Sequence, residues 1–550
     1  MKGNLRAWIV IAAAHVACGL VFLAPGYIRP DSIATFAYLR SAVFDRDFAF
    51  FNEWASAGLL RHGLTLFSEV TPSGALANHW WIGTSILSAP PYLVARLVGG
   101  PADGFGGLYA VVLAWTNVAF AIATLGIAWM FVRRDVTPGV ATMSVIATSI
   151  GTPFFWQTFV FPLGTHVAGA FAIGLVFVAL FGESRHQGLA VGLATGLAIA
   201  VRIQHFVIIP AVVFVAIRER RSLRWWMEAT VGGAIPLACQ AVAWWAIYGS
   251  PFGPLTGGGN LAGTTWMPFH TIALWNVLAS SYHGLFTWSP VVILSILGWI
   301  FSARSFDPRR RTIAVTCILM FLGQWLANGT FDRYFWGGMS FGPRRFTDLA
   351  VPFAIGIAWC ASAISARIVM IAAALASLWT VGLMAAARAG TLSLARYVSG
   401  ADLIHAVLSA DTWTRAVHAP MHTVSIRESL IAIVIVAVLG LIATRMNAIA
   451  SAVAMVIAFV IVVIVSVRTP ARAIESARRL NIDVAASRRY GPLVDERGLL
   501  LDELAWEKAT GRDTRGTEEE LRAINALLRS FSAHSSRSGA APSSIAPARP

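Results

Sequence analysis

Residues 5–31 read LRAWIVIAAAHVACGLVFLAPGYIRPD. From Leu5 to Ala24 the run is apolar apart from Arg6 and His15, and it is long enough to cross a bilayer core of about 30 Å. It is long for a signal peptide and has no small-x-small cleavage pattern before Pro25, so it reads as a retained anchor. Lys2 and Arg6 at its start place the N-terminus in the cytoplasm. The chain then emerges on the outer side and meets a carboxylate, Asp31. A first span leading straight to an outer aspartate is the feature from which the remaining sequence is read.

Composition extends the membrane reading to most of the chain. Of 550 residues, 57% are hydrophobic and 13% charged, and the mean hydropathy is +0.67. Soluble domains carry about 25% charged residues, so a soluble enzyme is excluded. The net charge of +15 comes almost wholly from arginine, since Lys2 and Lys508 are the only lysines. On a membrane protein such an excess reports topology and contact with anionic lipid, and nucleic acid is not an expected partner. Cys18, Cys239, Cys317 and Cys360 all fall in apolar runs, far apart in sequence, and suggest neither a disulfide framework nor a zinc site.

Further spans are expected at 107–131, 138–158, 164–181, 188–201, 203–217, 226–247, 284–303, 311–328, 346–364, 368–387, 429–444 and 447–467, making about thirteen transmembrane helices in an all-α polytopic protein. Arg133-Arg134, Arg185, Arg218 through Arg224 and Arg304 through Arg311 then all face the cytoplasm, in short loops. The apolar stretch from Trp80 to Val98 contains Pro90-Pro91 and ends in arginine. Counting it as a crossing would turn Arg133-Arg134 outward, so it is expected to lie on or dip into the outer interface. Odd parity puts the C-terminal tail outside.

The outer side holds the long segments 26–79, 248–283, 329–345 and 388–428, so any chemistry is expected to face outward. Asp31 reads either as a helix cap, alone or with Ser32, or as a general base at the lip of the membrane. The residues after it, Ile33, Phe36, Ala37 and Leu39-Arg40, suggest an amphipathic interfacial helix. Asp45, Asp47 and Glu53, with Asn78-His79 farther on, offer oxygen and imidazole ligands for a divalent metal, although their spacing matches no compact metal loop and a solvated acidic loop is the plainer reading. His166 opens a span, and Arg202, Gln204 and His205 interrupt a pair of short ones. Polar groups there point into a cavity or a protein interior, as helix-to-helix hydrogen bonds or as a lipid-phosphate or sugar pocket. The loop from Tyr248 runs through Gly257-Gly-Gly without the strand or Gly-Lys-Ser/Thr of a phosphate loop, and His270, Trp275 and His283 flank an interfacial helix.

Residues 328–346 read NGTFDRYFWGGMSFGPRRF. Arg344 and Arg345 open a span on its outer side, against the positive-inside bias, and a counter-anion would explain them, since an arginine fork matches phosphate oxygens. A salt bridge to Asp332 or Asp348 is the other reading. Gly337-Gly338 and Gly342-Pro343 suit tight turns near a ligand, and Trp336 and Tyr334 suit stacking on a sugar or anchoring at the interface. Asn328-Gly-Thr fits a glycosylation pattern by chance. Residues 1–467 thus form one membrane module with a large outer loop at 26–106. Residues 468–531 form a small soluble helical tail, with a capping box at Thr517 and Glu520, and 532–550 are disordered by composition.

This arrangement resembles the membrane-embedded GT-C glycosyltransferases, and especially the polyprenyl-phosphate-dependent family that contains protein mannosyltransferases and aminoarabinose transferases. Asp31 matches the family's catalytic aspartate after the first span, and Ser88-Ala-Pro-Pro-Tyr92 its proline-pair stretch. Arg202 falls where a polar residue breaks the short paired spans, and Arg344-Arg345 resemble its donor-phosphate groups. Several members pair two acidic residues where this chain has Asp31-Ser32. The resemblance implies a GT-C-like fold with outer interfacial helices and an appendage. It further implies a bacterial cytoplasmic-membrane enzyme that moves a sugar from a polyprenyl-phosphate donor to a hydroxyl of a glycan, lipid or protein, with inversion and with Asp31 as base. Arg344, Arg345, Arg202, His205, His166, Trp336 and His79 would line the donor site. A polymerase or ligase using a pyrophosphate-linked donor and a multi-span transporter are the alternatives. A transporter should show midplane charges and matched repeats, which are not evident here.

Overall fold

The structure, a computed structural model, describes residues 2–23, 30–50, 53–54, 69–100, 104, 107–256, 272–330, 335–338 and 340–418, with isolated positions between 504 and 525. In chain order its helices are α1 (Lys2–Phe22), α2 (Pro30–Arg40), α3 (Gly83–Leu97), α4 (Gly107–Val132), α5 (Pro138–Gly151), α6 (Thr165–Phe181), α7 (Gln187–Val201), α8 (Ile209–Arg218), α9 (Leu223–Tyr248), α10 (Leu274–Ala279), α11 (Leu285–Trp288), α12 (Val291–Ala303), α13 (Pro308–Thr330), α14 (Ala350–Ala363), α15 (Ala366–Ala389), α16 (Gly400–Leu408) and α17 (Ala410–His418). Among the described residues there is no strand, only an isolated bridge between Val70 and Leu76. Apolar segments in lipid must satisfy their own backbone polar groups, and the helix does this within one segment.

Eleven of the thirteen expected spans fall within the described residues and all eleven contain helix. The spans expected at 429–444 and 447–467 lie outside those residues, as do most of the expected tail and the end at 532–550 for which disorder is expected. Five helices are long and apolar enough to cross a membrane: Leu108–Val132, Leu223–Tyr248, Pro308–Thr330, Arg344–Ala363 and Ala366–Ala389. Their unburied faces are apolar. On α9, Leu223, Met227, Val231 and Ile235 are exposed at four-residue steps, and on α15 Ile368, Ile371, Leu375 and Leu378 are exposed. Continuous apolar faces of that kind are surfaces for lipid.

Other spans are shorter than expected, for local reasons. The 138–158 span ends as α5 at Gly151 because Pro153 follows, and a π-turn at Trp156–Val160 resumes the path. The 284–303 span is divided by Ser289-Pro290 into α11 and α12. α7 has 15 residues, or about 22 Å at 1.5 Å per residue, which is less than the bilayer core. It stops at Arg202, whose backbone is extended, and a 3₁₀ turn at Ile203–Ile208 leads into α8. The 346–364 span likewise opens with a 3₁₀ turn, Arg344–Leu349, before α14. Both turns bring polar side chains inward.

Small residues bring the backbones close. Gly188, Gly192 and Gly196 on α7 lie against the carbonyl oxygens of Trp225, Ala229 and Gly233 on α9, where a Cβ would overlap them. Gly83 of α3 meets the Ala200–Val201 backbone at the end of α7 in the same way. Close small-residue seams are how membrane helices gain packing where lipid is as apolar as the side chains.

The first outer segment departs from expectation. Pro30 opens α2, so Asp31 and Ser32 lie in its first turn and neither is the cap. Nor is α2 an interfacial amphipathic helix: Ser32, Ala34, Thr35, Ala37, Tyr38, Leu39 and Arg40 are all buried. Its cover is the 78–85 segment, where the Asn78 amide donates to the Ala34 carbonyl at 2.9 Å, Tyr38 donates to the Trp80 carbonyl at 2.9 Å, and Ser85 donates to the Thr35 carbonyl at 2.5 Å. The interfacial character belongs to α3, which exposes Leu93, Val94 and Leu97 and keeps Pro90-Pro91 within the helix.

Candidate active site

Three elements far apart in sequence converge on a group of arginines and two carboxylates. α2 supplies Asp31, the junction after α7 supplies Arg202 and His205, and the turn before α14 supplies Arg344, Arg345 and Asp348. A guanidinium nitrogen of Arg344, Nη1, lies 3.4 Å from Asp31 Oδ2, with the aspartate side chain 40% exposed and the arginine 18%. The carboxylate is therefore open on one side and held by a cation on the other. Arg345 is buried, within electrostatic reach of Arg202 and Asp31, and its carbonyl accepts a 2.8 Å hydrogen bond from Gln324 of α13.

Behind this front, Asp348 is 1% exposed and gathers cations and imidazoles. His205 Nε2 lies 2.8 Å from its Oδ2, Arg202 Nη1 lies 3.3 Å from the same oxygen, and His166 Nδ1 lies 3.7 Å from Oδ1. Arg202 also donates to His166 Nδ1 and, at 2.6 Å, to the Gln204 side-chain oxygen. Gly169 on α6 leaves the room for this network, since a Cβ there would lie 2.8 Å from His205 Cε1. Arg202 and His205 thus make interior hydrogen bonds in one network, the first of the two readings.

The glycine-rich turn frames the arginines. Gly337, Gly338 and Gly342 have φ of 78°, 76° and 57°, a region where a Cβ is strained, and Gly337 faces the Arg344 side chain. Ser340 in the same turn accepts from the Gln157 amide at 2.9 Å, which ties the turn to the π-turn after α5. His283, 1% exposed, packs on Tyr282 and Trp288 at 4.6 and 4.7 Å between ring centroids. Burial pushes its pKa down to about 3, and the charge of Arg344 adds to that shift.

The other expected site residues lie elsewhere. Trp336 is 1% exposed and packs against Tyr282 at 5.6 Å and Phe335 at 5.1 Å. His79 is buried with its Nε2 2.9 Å from Glu69. Asp45 and Glu53 close on the guanidinium of Arg40, Glu53 at 2.9 Å, and Asp47 accepts from Ser41 at 2.7 Å. Among the described residues no group of three or more His, Cys, Asp or Glu side chains could hold a metal ion. Tyr334, Asp332 and His270 lie outside the described residues. Asn328 is 1% exposed, too buried to be a glycan acceptor. Its amide has no hydrogen-bond partner, one turn along α13 from Gln324.

Asp348 was legible only as one possible salt-bridge partner of the arginine pair. Its partners are Arg202 and two histidines. The signal that could have marked it is a carboxylate inside an apolar span, which is expensive unless it is paired or functional.

No protein-family model matches the chain, and no curated protein matches it. One solved structure, described as ArnT from Cupriavidus metallidurans bound to undecaprenyl phosphate, is similar over 91% of this chain and 80% of its own, at 14% identity and a TM-score of 0.39.

Proposed function

We propose that the protein is a GT-C-type glycosyltransferase that moves a sugar from a polyprenyl-phosphate donor to an acceptor hydroxyl at the outer face of a bacterial cytoplasmic membrane. The observation that carries this reading is the Asp31–Arg344 contact, a half-open carboxylate beside one arginine and within electrostatic reach of Arg345, which in turn reaches Arg202. A carboxylate within hydrogen-bond reach of a hydroxyl acts as a general base. Guanidinium groups in a preorganised pocket stabilise a phosphate on which charge develops. In a membrane-spanning protein the polyprenyl chain of such a donor has lipid-facing helices to lie against.

In this mechanism Asp31 takes the proton of the acceptor hydroxyl while its oxygen attacks the anomeric carbon. The bond from that carbon to the phosphate oxygen breaks, and its electron pair leaves with the phosphate. One displacement inverts the anomeric carbon. Negative charge disappears from Asp31 as it appears on the phosphate. Arg344 pairs with Asp31 at rest and follows the charge to the phosphate, with Arg345 and Arg202 completing the anion site.

The test is transfer from radiolabelled polyprenyl-phosphate sugars in membranes that contain wild-type or Asp31→Asn protein at matched expression. Transfer by the wild type and a loss of at least about 100-fold in the variant are expected, in line with removal of a general base. Full transfer by Asp31→Asn would remove Asp31 from the mechanism.

A further inference from the structure

The hydrogen bonds of His205 fix more than its orientation. Its Nδ1 lies 2.7 Å from the Ala198 carbonyl oxygen and its Nε2 lies 2.8 Å from Asp348 Oδ2, and the ring is fully buried. A carbonyl oxygen can only accept, so Nδ1 carries a hydrogen. An ionised carboxylate can only accept, so Nε2 carries one as well. With a neutral imidazole, a nitrogen lone pair would face an anionic oxygen at 2.8 Å between two fully buried side chains. Arg202 Nη1, 3.3 Å from the same Oδ2, favours the ionised carboxylate, which leaves the proton on the ring. The remaining groups that face the pair are consistent with this. His166 accepts from Arg202 at Nδ1, so its ring is neutral, and Gly169 adds no polar side chain.

We infer that His205 and Asp348 form a neutral imidazolium–carboxylate pair that leaves the full charge of Arg202 available to a bound anion. The inference rests on the proposed phosphate site. Without the extra proton, Asp348 would cancel one guanidinium. With it, the His205–Asp348 pair is neutral and the charge of Arg202 is undiminished. A phosphodiester donor carries one negative charge, whereas a phosphate monoester carries close to two at neutral pH. An undiminished guanidinium charge therefore stabilises the leaving group more than the donor. That preference for what forms in the transition state is what accelerates a reaction. His205 and Asp348 are positioning residues: they act through Arg202 and do not touch the reacting atoms.

The experiment uses full-length protein in nanodiscs. ¹⁵N-histidine labelling, with His205→Gln used to assign the signal, is expected to show both ring nitrogens of His205 protonated at pH 8; an unprotonated nitrogen overturns the inference. Binding of decaprenyl monophosphate at pH 8 gives an independent reading. His205→Gln leaves the Asp348 charge uncompensated and is expected to weaken binding about tenfold, of the order of one added charge at an effective dielectric near 20. Asp348→Asn leaves a neutral histidine beside a neutral amide, the same pair charge, and is expected not to tighten binding. A gain of about tenfold in Asp348→Asn, or no loss in His205→Gln, overturns the inference. If the wild type fails to bind the monophosphate, the glycosyltransferase reading falls, and the ¹⁵N spectrum still decides the state of the pair.

Discussion

Asp31 and Arg344 are 313 residues apart in sequence and 3.4 Å apart in space. Each was legible alone, Asp31 from its place after a span and Arg344 from its breach of charge bias, because both signals are local. Their contact was not, nor was the 143-residue link from His205 to Asp348, since distant pairing is set by how helices pack. His283 shows the same limit. In sequence it flanks an interfacial helix, and in the fold it is sealed beneath the glycine turn with a pKa near 3. The unfolded ring titrates near 6.5, so below that pH the unfolded chain binds a proton that the native chain refuses. The stabilisation from His283 is complete above pH 6.5 and is lost as the pH falls toward 3, at about 1.4 kcal/mol per pH unit. Thermal unfolding from pH 7 to pH 4 should therefore show a steeper fall in the midpoint for wild type than for His283→Asn. Asparagine tolerates the positive φ at that position. Parallel curves would refute the assignment.

At the scale of elements, spans are read from apolar runs, and the eleven expected within the described residues are present. What the runs hid was where they break. Proline after α5 and before α12 ends or divides helices that hydropathy alone joins. α2 was misread because its pattern looks amphipathic until the 78–85 segment covers its other side. The glycine seam of α7 was available in the four-residue spacing of Gly188, Gly192 and Gly196. The spacing cannot say which partner it meets. The seam has a consequence for chemistry, because α7 ends at Arg202. In Gly192→Ala the added methyl overlaps the Ala229 carbonyl, so the helices must part. A lower unfolding temperature and a raised KM for the donor are expected together. Gly139→Ala, where nothing lies within 4 Å of the new Cβ, should change neither and serves as the control. An unaltered melting temperature in Gly192→Ala would show that the seam is not tight.

For the whole molecule, composition was decisive and arginine placement supplied a direction. The alternation that predicts Lys2 and Arg185 in the cytoplasm also predicts the arginine group and the 69–82 segment outside. Both ends of that prediction are accessible to labelling: Pro72 and Arg185 are exposed. On a background without the four native cysteines, Pro72→Cys should react with a membrane-impermeant maleimide on intact cells, and Arg185→Cys only after the membrane is opened. The reverse pattern would invert the topology and with it the side on which transfer occurs.

The Asp31–Arg344 contact also bears on the order of events in a catalytic cycle. An enzyme that holds an activated sugar next to a base risks wasting it on water. In the proposed mechanism the base, Asp31, is paired with the Arg344 guanidinium until something more anionic competes for that cation, and a donor phosphate would be such a competitor. The carrier lipid would then unlock the base by arriving, so that acceptor activation follows donor binding. Initial-rate patterns should accordingly be those of an ordered sequence with the donor first, and spontaneous hydrolysis of the donor should remain slow while no acceptor is present.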